Sequence, residues 1–476
     1  MFETYPDVNP IVKKLSIFLL IFFTSRAYLL VTVVILSFPG GYMLKSTLAK
    51  GTLILTAAGF LSRILGFFYR IWLSEHLGSE LLGIYQMIFP ISGVCYTIYA
   101  SGIQTAISKI TAERKASVSV LFHGLTISLF LSLLLSLLLY ESAPFLAERF
   151  LFEERTIAPL RILSFMFPFG AITACCNGYN YGKSNSGGPA VSQLTEQVIR
   201  IACAYFIVYT FHGLNFSCEL AVLVLVIGEI ASALISMVSL ISSECKGKKI
   251  AVKALHKNGL SGITLLALPL TFHRLIINLL HSFEATLVPL TLQQSGMTKA
   301  MALSRYGILN GMAFPFIFFP TALTGSLSVL LLPAVSKASK EENTGYLHKV
   351  IRLSLIFSGG LGLACTAFFL LTGNFLGNLV FHEPQAGEYI CILAWLCPFM
   401  YLSSTLGSIL NGLGKVYQTF AISVISLCIK IGCLMLLVPT YGMPAYFFTL
   451  LASQGFNTIA EAVILLQTKQ TARMAK

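Results

Sequence analysis

The sequence predicts an all-α integral membrane protein with about twelve transmembrane helices. Its composition is 56% hydrophobic and only 11% charged, and its mean hydropathy is +0.81, whereas a soluble domain carries roughly 25% charged residues. Its apolar stretches run past the roughly 18 residues that are needed to span a bilayer. A chain so poor in charge has too little polar surface to meet water, so we expect lipid to be its solvent.

Twelve apolar runs, bounded by proline, glycine and charge, are the predicted spans. Six precede a basic linker and six follow it. They are 47–73, 80–107, 118–141, 157–180, 191–211 and 219–243, then 260–292, 301–334, 347–373, 387–411, 416–438 and 442–467. The chain therefore divides into a six-helix bundle at 43–243, a linker at 244–259 and a second six-helix bundle at 260–476.

The charges of the loops set the predicted topology. Eighteen Lys and Arg residues fall in loops on one side, and only Arg149, Arg155 and Lys299 fall on the other. Cytoplasmic loops carry the excess of Lys and Arg, so both ends of the twelve-span core are predicted to be cytoplasmic. Topology also accounts for the net charge of +13, and we expect no nucleic-acid partner.

An apolar N-terminal extension, residues 1–42, does not fit this topology. Arg26 interrupts its apolar run, and Lys13 and Lys14 would lie on the side that the charge rule disfavours. Two glycine codons just before Met43 can encode a ribosome-binding sequence. We therefore predict that translation begins at Met43 and that the extension is an artefact of the assigned start.

The two halves of the chain repeat each other. Residues 161–182, RILSFMFPFGAITACCNGYNYG, align with 391–412, CILAWLCPFMYLSSTLGSILNG, and the same offset of 230 places Arg200 on Lys430. Repeats of this kind are parallel and are related by an axis along the membrane normal. Two such bundles enclose a central cleft, which favours alternating access over a channel or a scaffold.

Charged side chains inside spans usually mark a transport pathway. In the first span Gly59, Arg63, Gly66 and Arg70 recur at i, i+4, i+7 and i+11, which places them on one helical face. The alternative is that Arg70 snorkels to the interface and that Arg63 pairs with a neighbouring helix.

The seventh span carries a second polar face. Arg274, Asn278 and His281 share it, and Glu284 lies one turn beyond. The repeat places Arg274 where Arg63 lies, which predicts one cation on each wall of the cleft. Glu284, with His281, is either a site that couples transport to Na⁺ or H⁺ or the counter-ion of Arg274 or His281.

The remaining polar side chains in the spans admit ordinary structural interpretations. Gln86 and Asn310, beside Pro90 and Pro315, either line the cavity or hydrogen-bond between helices. Glu196 and Arg200, at i and i+4, can neutralise each other. The other side chains of this class are Lys430, which can snorkel, and the single carboxylates Glu229, a further coupling candidate, and Glu461.

Enzymatic motifs are missing from the sequence. It contains no GxxxxGK[ST] loop, no HExxH and no GxSxG, and its cysteines follow neither a zinc nor a disulfide pattern. We therefore predict a transporter rather than an enzyme, with no metal site and no cofactor apart from a coupling cation.

Two segments carry a family resemblance. They are KSTLAKGTLILTAAGFLSRILGFFYRIWLSEHLGSELLGIYQMIFPISG, followed by SGIQTAISK, and RYGILNGMAFPFIFFPTALTGSLSVLLLPAVSKA in the second half. They resemble the stage V sporulation protein B group of polysaccharide-type flippases, within the MATE-like MOP superfamily. The resemblance extends over 43–476.

The resemblance implies a V-shaped pair of six-helix bundles that flips an undecaprenyl-pyrophosphate-linked sugar. The cargo would be a peptidoglycan precursor such as lipid II, moved across the plasma membrane for spore cortex synthesis, with cell-wall synthesis proteins as partners. In related lipid II flippases, first-helix arginines meet the pyrophosphate; Arg63 matches that position well and Arg70 less well, because Tyr69 stands nearest. Many members hold the lipid tail with a thirteenth and a fourteenth helix, beyond the twelve spans predicted here.

Two other functions remain open. One is a cation-coupled multidrug or small-molecule antiporter of the same fold, and the other is a scaffold for assembly of the spore envelope. Arginine's fork suits pyrophosphate, whereas a cationic drug would require carboxylates at those positions. The predicted substrate-binding residues are therefore Arg63, Arg70, Arg274, Gln86 and Asn310, and the predicted coupling residues are Glu284, His281 and Glu229.

Overall fold

A computed structural model describes residues 47–113, 118–210, 216–246, 259–341 and 344–474, and these residues contain helices and no strands. The extension 1–42 and most of the predicted linker lie outside the described residues. The helices are α1 (Thr47–Tyr96), α2 (Gly102–Glu113), α3 (Val118–Phe145), α4 (Ile157–Ser164), α5 (Met166–Gly182), α6 (Gly187–Thr210), α7 (Cys218–Lys246), α8 (Gly259–Gln294), α9 (Lys299–Gly307), α10 (Phe314–Phe318), α11 (Thr321–Lys340), α12 (Thr344–Phe381), α13 (Pro384–Leu393), α14 (Cys397–Gly412), α15 (Val416–Tyr441) and α16 (Met443–Met474). The all-α prediction is confirmed.

Eight helical stretches among the described residues are long and apolar enough to cross a membrane, or nine if the bent pair α4–α5 counts as one span. One stretch, Ala57–Glu113, has 57 residues and would be roughly 85 Å long as a straight helix, far more than a bilayer of about 30 Å. It is broken at Gly78, whose φ of 71° is a left-handed conformation that glycine adopts without strain. Gly78 thus separates the two predicted spans 47–73 and 80–107.

Large apolar side chains cover much of the outer surface. Leu371 is 85% exposed, Leu436 is 76% exposed and Phe130 is 67% exposed. A surface of this kind is stable in lipid rather than in water. The prediction of a multi-span membrane protein is consistent with this surface and with the apolar helices.

Three helical stretches contain a π-helical segment, at Thr97–Ser101, Leu146–Leu151 and Ile308–Ala313. A π turn adds a residue and shifts the backbone hydrogen bonds from i+4 to i+5, and such turns are frequent at functional sites. The first lies between α1 and α2 and the third between α9 and α10.

The chain forms two compact units, each of them discontinuous in sequence. The larger unit comprises Ser46–Gly311 and Ser423–Thr449, and the smaller unit comprises Met312–Ile422 and Leu450–Lys476. The division predicted at the linker concerns the sequence repeat and not these compact units. That division stays a prediction.

Each unit has its own apolar core. In the larger unit, Ile107 and Tyr179 are fully buried beside Ile263 and Ala267, which joins α2, α5 and α8. In the smaller unit, α11, α12, α14 and α16 meet in a core whose buried members include Leu331, Val335, Ile351, Ile409 and Leu465.

Two glycines aligned by the repeat make similar contacts within their own units. A Cβ atom added to Gly182 of α5 would lie 2.6 Å from the carbonyl oxygen of Ser108 on α2. A Cβ atom added to Gly412 of α14 would lie 3.0 Å from the carbonyl oxygen of Leu332 on α11. Both glycines therefore let the helix pairs approach closely, as small residues do in membranes.

A third close contact joins the second half of α1 to α9. An added Cβ at Gly83 would collide with the carbonyl oxygen of Leu303, and one at Gly307 would collide with that of Ser79. The hydroxyl oxygens of Ser79 and Ser304 lie 2.7 Å apart at the same crossing. Both halves of the sequence thus meet here, inside the larger unit.

Candidate functional site

All eight predicted site residues lie in the larger unit, between Ser46 and Gly311. Among the contacts found between described residues, only His281 and Glu284 contact each other directly within this set. Arg274 and Asn310 hydrogen-bond to Ser101 and Tyr306, which the sequence did not single out.

Arg63 and Arg70 are both exposed on α1, whereas Ser62 and Tyr69 beside them are buried. Gly66, between the two arginines, faces the side-chain oxygen of Gln197 on α6. A guanidinium in the middle of an apolar span is too costly to expose to lipid. We therefore expect the exposed face of Arg63 to meet water.

Arg70 lies in a cluster of aromatic and charged groups. It interacts electrostatically with Tyr85, in the second half of α1, and with Arg200 of α6. Tyr85 and Tyr69 are each only 4% exposed. The sequence did not indicate Tyr85, because nothing in its spacing distinguishes it from an ordinary core residue.

Arg274 and Asn278 hold the first π-helical segment. Nη1 of Arg274 donates to the carbonyl oxygen of Ser101 at 3.1 Å and also to the Ser101 hydroxyl. Nδ2 of Asn278 donates to Oγ1 of Thr97 at 2.6 Å. These donors satisfy backbone and hydroxyl groups at the point where the regular helix is interrupted.

Arg274 keeps free surface despite these bonds, because its side chain is exposed. A guanidinium has five N–H donors in a planar fork, and the described bonds to Ser101 both use Nη1. The rest of the fork can therefore bind an anion while Nη1 remains bonded to Ser101.

Glu284 is a buried carboxylate with a permanent cation beside it. It is 8% exposed, and Nζ of Lys430 on α15 lies 2.5 Å from its Oε1. Nδ1 of His281 lies 3.4 Å from Oε2, and the hydroxyl of Tyr446 on α16 lies 3.4 Å from Oε1. Lys430, which the sequence suggested could snorkel, is thus the main counter-ion of Glu284.

The repeat explains why Lys430 pairs across helices. Its aligned partner Arg200 forms an ion pair with Glu196 one turn earlier on α6, as predicted. The residue that aligns with Glu196 is Ser426, which has no charge to offer. Lys430 therefore pairs with a carboxylate of another helix, which a buried ammonium requires.

Gln86 and Asn310 are half-buried. Nδ2 of Asn310 donates to the carbonyl oxygen of Tyr306 at 3.3 Å, within the third π-helical segment. This amide thus bonds to the backbone of its own helix, so the contact supports neither cavity lining nor a hydrogen bond between helices, and both interpretations stay predictions.

Two carboxylates have hydroxyl partners at repeat-related positions. Glu229 of α7 hydrogen-bonds to Thr173 of α5 and interacts with Glu196 and Arg200. Glu461 of α16, in the smaller unit, accepts a hydrogen bond from Ser403 of α14 at 2.9 Å. Thr173 and Ser403 align at the offset of 230.

One ion-pair cluster joins α1 just after its break at Gly78, the segment before α4 and the start of α9. Glu153 binds Arg155 at 2.7 Å and Lys299 at 3.2 Å, and Arg155 also binds Glu80 at 2.8 Å. Burial alone would raise the pKa of Glu153, but the hydrogen bonds from Arg155 and Lys299 outweigh it, so its pKa lies below the usual value. The two cations and two carboxylates thereby connect residues of both sequence halves within the larger unit.

The described residues contain no group of three or more His, Cys, Asp or Glu side chains that could hold a metal ion. The polar groups instead form ion pairs and hydrogen bonds within the helices. Such an arrangement can bind and release an ion or a charged headgroup.

Comparisons with known proteins agree with this arrangement. The model of the polysaccharide biosynthesis protein family matches residues 48–337 and the MatE model matches 294–436. Stage V sporulation protein B of Bacillus subtilis (strain 168) is 31% identical over 88% of this chain and 84% of its own length. The lipid II flippase MurJ of the same organism is 25% identical over 80% of this chain and 75% of its own length.

The fold is that of MATE transporters. An inward-facing multidrug resistance MATE family transporter of the MOP superfamily superposes with a TM-score of 0.69, covering 88% of this chain and 98% of that protein at 14% identity. This likeness concerns the fold, and the family assignment rests on the sequence matches. The chain is therefore a multi-span membrane transport protein that belongs to the polysaccharide biosynthesis protein family, with stage V sporulation protein B among its relatives.

Proposed function

We propose that this protein flips an undecaprenyl-pyrophosphate-linked sugar, a peptidoglycan precursor of the lipid II type, across the plasma membrane for spore cortex synthesis. The observation that carries the proposal is a pair of exposed arginines, Arg63 and Arg274, on apolar helices of the larger unit. Relatives that act in sporulation and as a lipid II flippase support this choice of substrate.

Charge favours an anionic headgroup as the substrate. A pyrophosphate leaving water needs fixed cations, and arginine meets phosphate oxygens two at a time. Arg63 is the primary candidate for binding the pyrophosphate. Arg274 offers a second contact through the guanidinium N–H groups that do not bond to Ser101. Arg70, Gln86 and Asn310 are proposed as further contacts.

The second candidate, a cation-coupled antiporter for drugs or small molecules, has the MatE match and the MATE fold in its favour. A cationic drug would need an available carboxylate. Glu284 is neutralised by Lys430 and Glu196 by Arg200. The carboxylates of the larger unit therefore support this function less well than its arginines support the first.

The proposed architecture is twelve spans in two parallel six-helix repeats, with both ends of the core in the cytoplasm. The break at Gly78 and the paired contacts of Gly182 and Gly412 support it. The lipid bilayer and cell-wall synthesis proteins are the proposed partners.

Replacing Arg63 by Gln tests the proposal. The purified variant is placed in proteoliposomes that contain fluorescent lipid II, and the label in each leaflet is measured over time. Losing one of two arginines that bind the pyrophosphate should slow flipping at least tenfold, since a charge-assisted hydrogen bond is worth roughly 1.5–3 kcal/mol.

Arg149→Gln is the matched control, because Arg149 is an exposed arginine of the π-helical segment Leu146–Leu151 that has no place in the proposed site. It should flip lipid II at the wild-type rate. Wild-type flipping by Arg63→Gln would show that the proposed headgroup site is wrong, and resistance to cationic dyes on overexpression would favour the antiporter.

A further inference from the structure

Glu461 of α16 is a carboxylate buried in an apolar helix of the smaller unit. It is 4% exposed and lies within the candidate span Met443–Thr468. Among the described residues, its one hydrogen bond from a side chain comes from the hydroxyl of Ser403, and no ion pair to it is found. It thus differs from Glu284 and Glu196, each of which has a cation in contact.

The surroundings of Glu461 form a directed hydrogen-bond chain. Nδ2 of Asn457 donates to Oγ of Ser403 at 2.6 Å, and Ser403 in turn donates to Oε2 of Glu461 at 2.9 Å. Oδ1 of Asn457 is buried and has no hydrogen-bond partner among the described residues. Oε1 of Glu461 faces the Cα side of Gly407, where no side chain fills the space.

Among the described residues of the helices around Glu461, no cation is found to act on its carboxylate. α14 contributes Ser403 and Gly407, while α11 and α12 contribute apolar side chains to the shared core. The titratable hydroxyl of α14, Tyr401, donates to the carbonyl oxygen of Ile317. α11 and α12 also carry titratable groups near that core, and none of these groups is found bonded to Glu461. They are Lys337, Tyr346, His348, Lys349 and Arg352.

An ionised carboxylate without a counter-charge is costly to bury, so it must be neutralised. A metal ion would need a shell of several oxygen ligands, whereas the described hydrogen bonds leave one oxygen of Glu461 and one of Asn457 unused. A proton needs one oxygen. Gln454, Asn457 and Glu461 recur at i, i+3 and i+7, so a polar stripe runs along α16 to the carboxylate.

We propose that Glu461, with Ser403 and Asn457, is the proton-binding site that couples transport to the proton gradient. Oε1 takes up a proton to form a neutral carboxylic acid, and its release restores the carboxylate. The site lies in the smaller unit, apart from the sequence-predicted coupling residues Glu284, His281 and Glu229. Coupling by Glu461 rests on the proposed transport function, whereas proton binding by Glu461 does not.

Infrared spectroscopy of the purified protein in lipid nanodiscs tests proton binding without any substrate. At neutral pH ordinary exposed carboxyls are ionised, so the protonated-carboxyl absorption reports buried ones. Glu461→Gln should lose the absorption of one carboxyl, while Glu388→Gln, which changes an exposed carboxylate of the same unit, should lose none. An unchanged absorption in Glu461→Gln would overturn the proposal.

Three further measurements separate the outcomes. In proteoliposomes a pH gradient should drive at least tenfold less accumulation of fluorescent lipid II with Glu461→Gln than with the wild-type protein or with Glu388→Gln, and accumulation at the wild-type level would contradict coupling. If Glu461→Gln does not fold, Ser403→Ala is the second variant. It removes the hydrogen-bond donor to the carboxylate, so Glu461 should hold its proton to higher pH; an unchanged titration of the carboxyl absorption would contradict the site.

Saturable binding of radioactive sodium that Glu461→Gln abolishes would assign the site to sodium instead.

If wild-type protein flips no lipid II, the infrared result still decides proton binding. A lost carboxyl absorption together with no flipping would refute the proposed substrate and leave the proton site standing.

Discussion

At the scale of residues, the pairing of Lys430 with Glu284 determines which carboxylates are available for ion binding. The ammonium already neutralises Glu284 at 2.5 Å. Breaking a buried pair leaves one uncompensated charge, which costs far more free energy than removing both partners. The pair is therefore best explained as a structural link between α8 and α15.

Lys430→Met should lower the free energy of unfolding by about 3–5 kcal/mol, because Glu284 is then buried without its main counter-ion. The double variant Lys430→Met/Glu284→Gln should recover most of that loss. Chemical unfolding in detergent, followed by circular dichroism, measures both. A loss below about 1 kcal/mol, or a double variant no better than the single one, would contradict this structural role.

The sequence predicted some residues of the candidate site and could not predict others. Arg63 and Arg274 were found because a cation in an apolar run is rare, and Glu196–Arg200 because the pair lies within one helix. The Lys430–Glu284 pair joins helices far apart in sequence, and a single sequence carries no signal of such a contact. The same holds for Ser403 and Asn457, whose importance comes only from their position beside Glu461.

At the scale of helices, the crossing of α1 and α9 joins the two sequence halves inside the larger unit. A Cβ atom at Gly83 or Gly307 would collide with a backbone carbonyl oxygen of the other helix, so only glycine permits this close approach. The nearby cluster of Glu153, Arg155 and Lys299 connects the adjoining loops. If substrate passes between the sequence halves, this crossing has to separate during transport.

A disulfide across the crossing tests that movement. The hydroxyl oxygens of Ser79 and Ser304 are 2.7 Å apart, so Ser79→Cys and Ser304→Cys together should crosslink under oxidation and reduce flipping at least tenfold. A reductant should restore it. Each single variant controls for the native cysteines, and crosslinked protein that flips lipid II normally would show that the crossing does not open.

Helix interruptions were only partly predictable. Gly78 lies between two predicted spans and the helix is broken there, whereas Pro90, Pro269 and Pro289 lie inside helices. The π-helical segments at Thr97–Ser101 and Ile308–Ala313 were not predicted, because one extra residue in a helical turn leaves the apolar pattern nearly unchanged. The first of these segments accepts hydrogen bonds from Arg274 and Asn278, which explains why those polar residues share a helical face.

At the scale of the whole molecule, composition alone predicted a multi-span membrane protein, because a chain with 11% charged residues has no other solvent. The compact units could not be predicted in the same way. The larger unit takes α8, α9 and Ser423–Thr449 from the second half of the sequence, and their packing depends on contacts such as Gly83 with Leu303 that no repeat pattern reveals.

Movement of a pyrophosphate-linked lipid by the purified protein tests the central claim most directly. Wild-type protein in proteoliposomes, with no partner protein, receives fluorescent lipid II or the same lipid with a neutral linkage, and the label in each leaflet is followed. We predict rapid flipping of lipid II and at least tenfold slower flipping of the neutral analogue, because the arginines act on the pyrophosphate. Equal rates for the two lipids, or no flipping of lipid II at all, would contradict it.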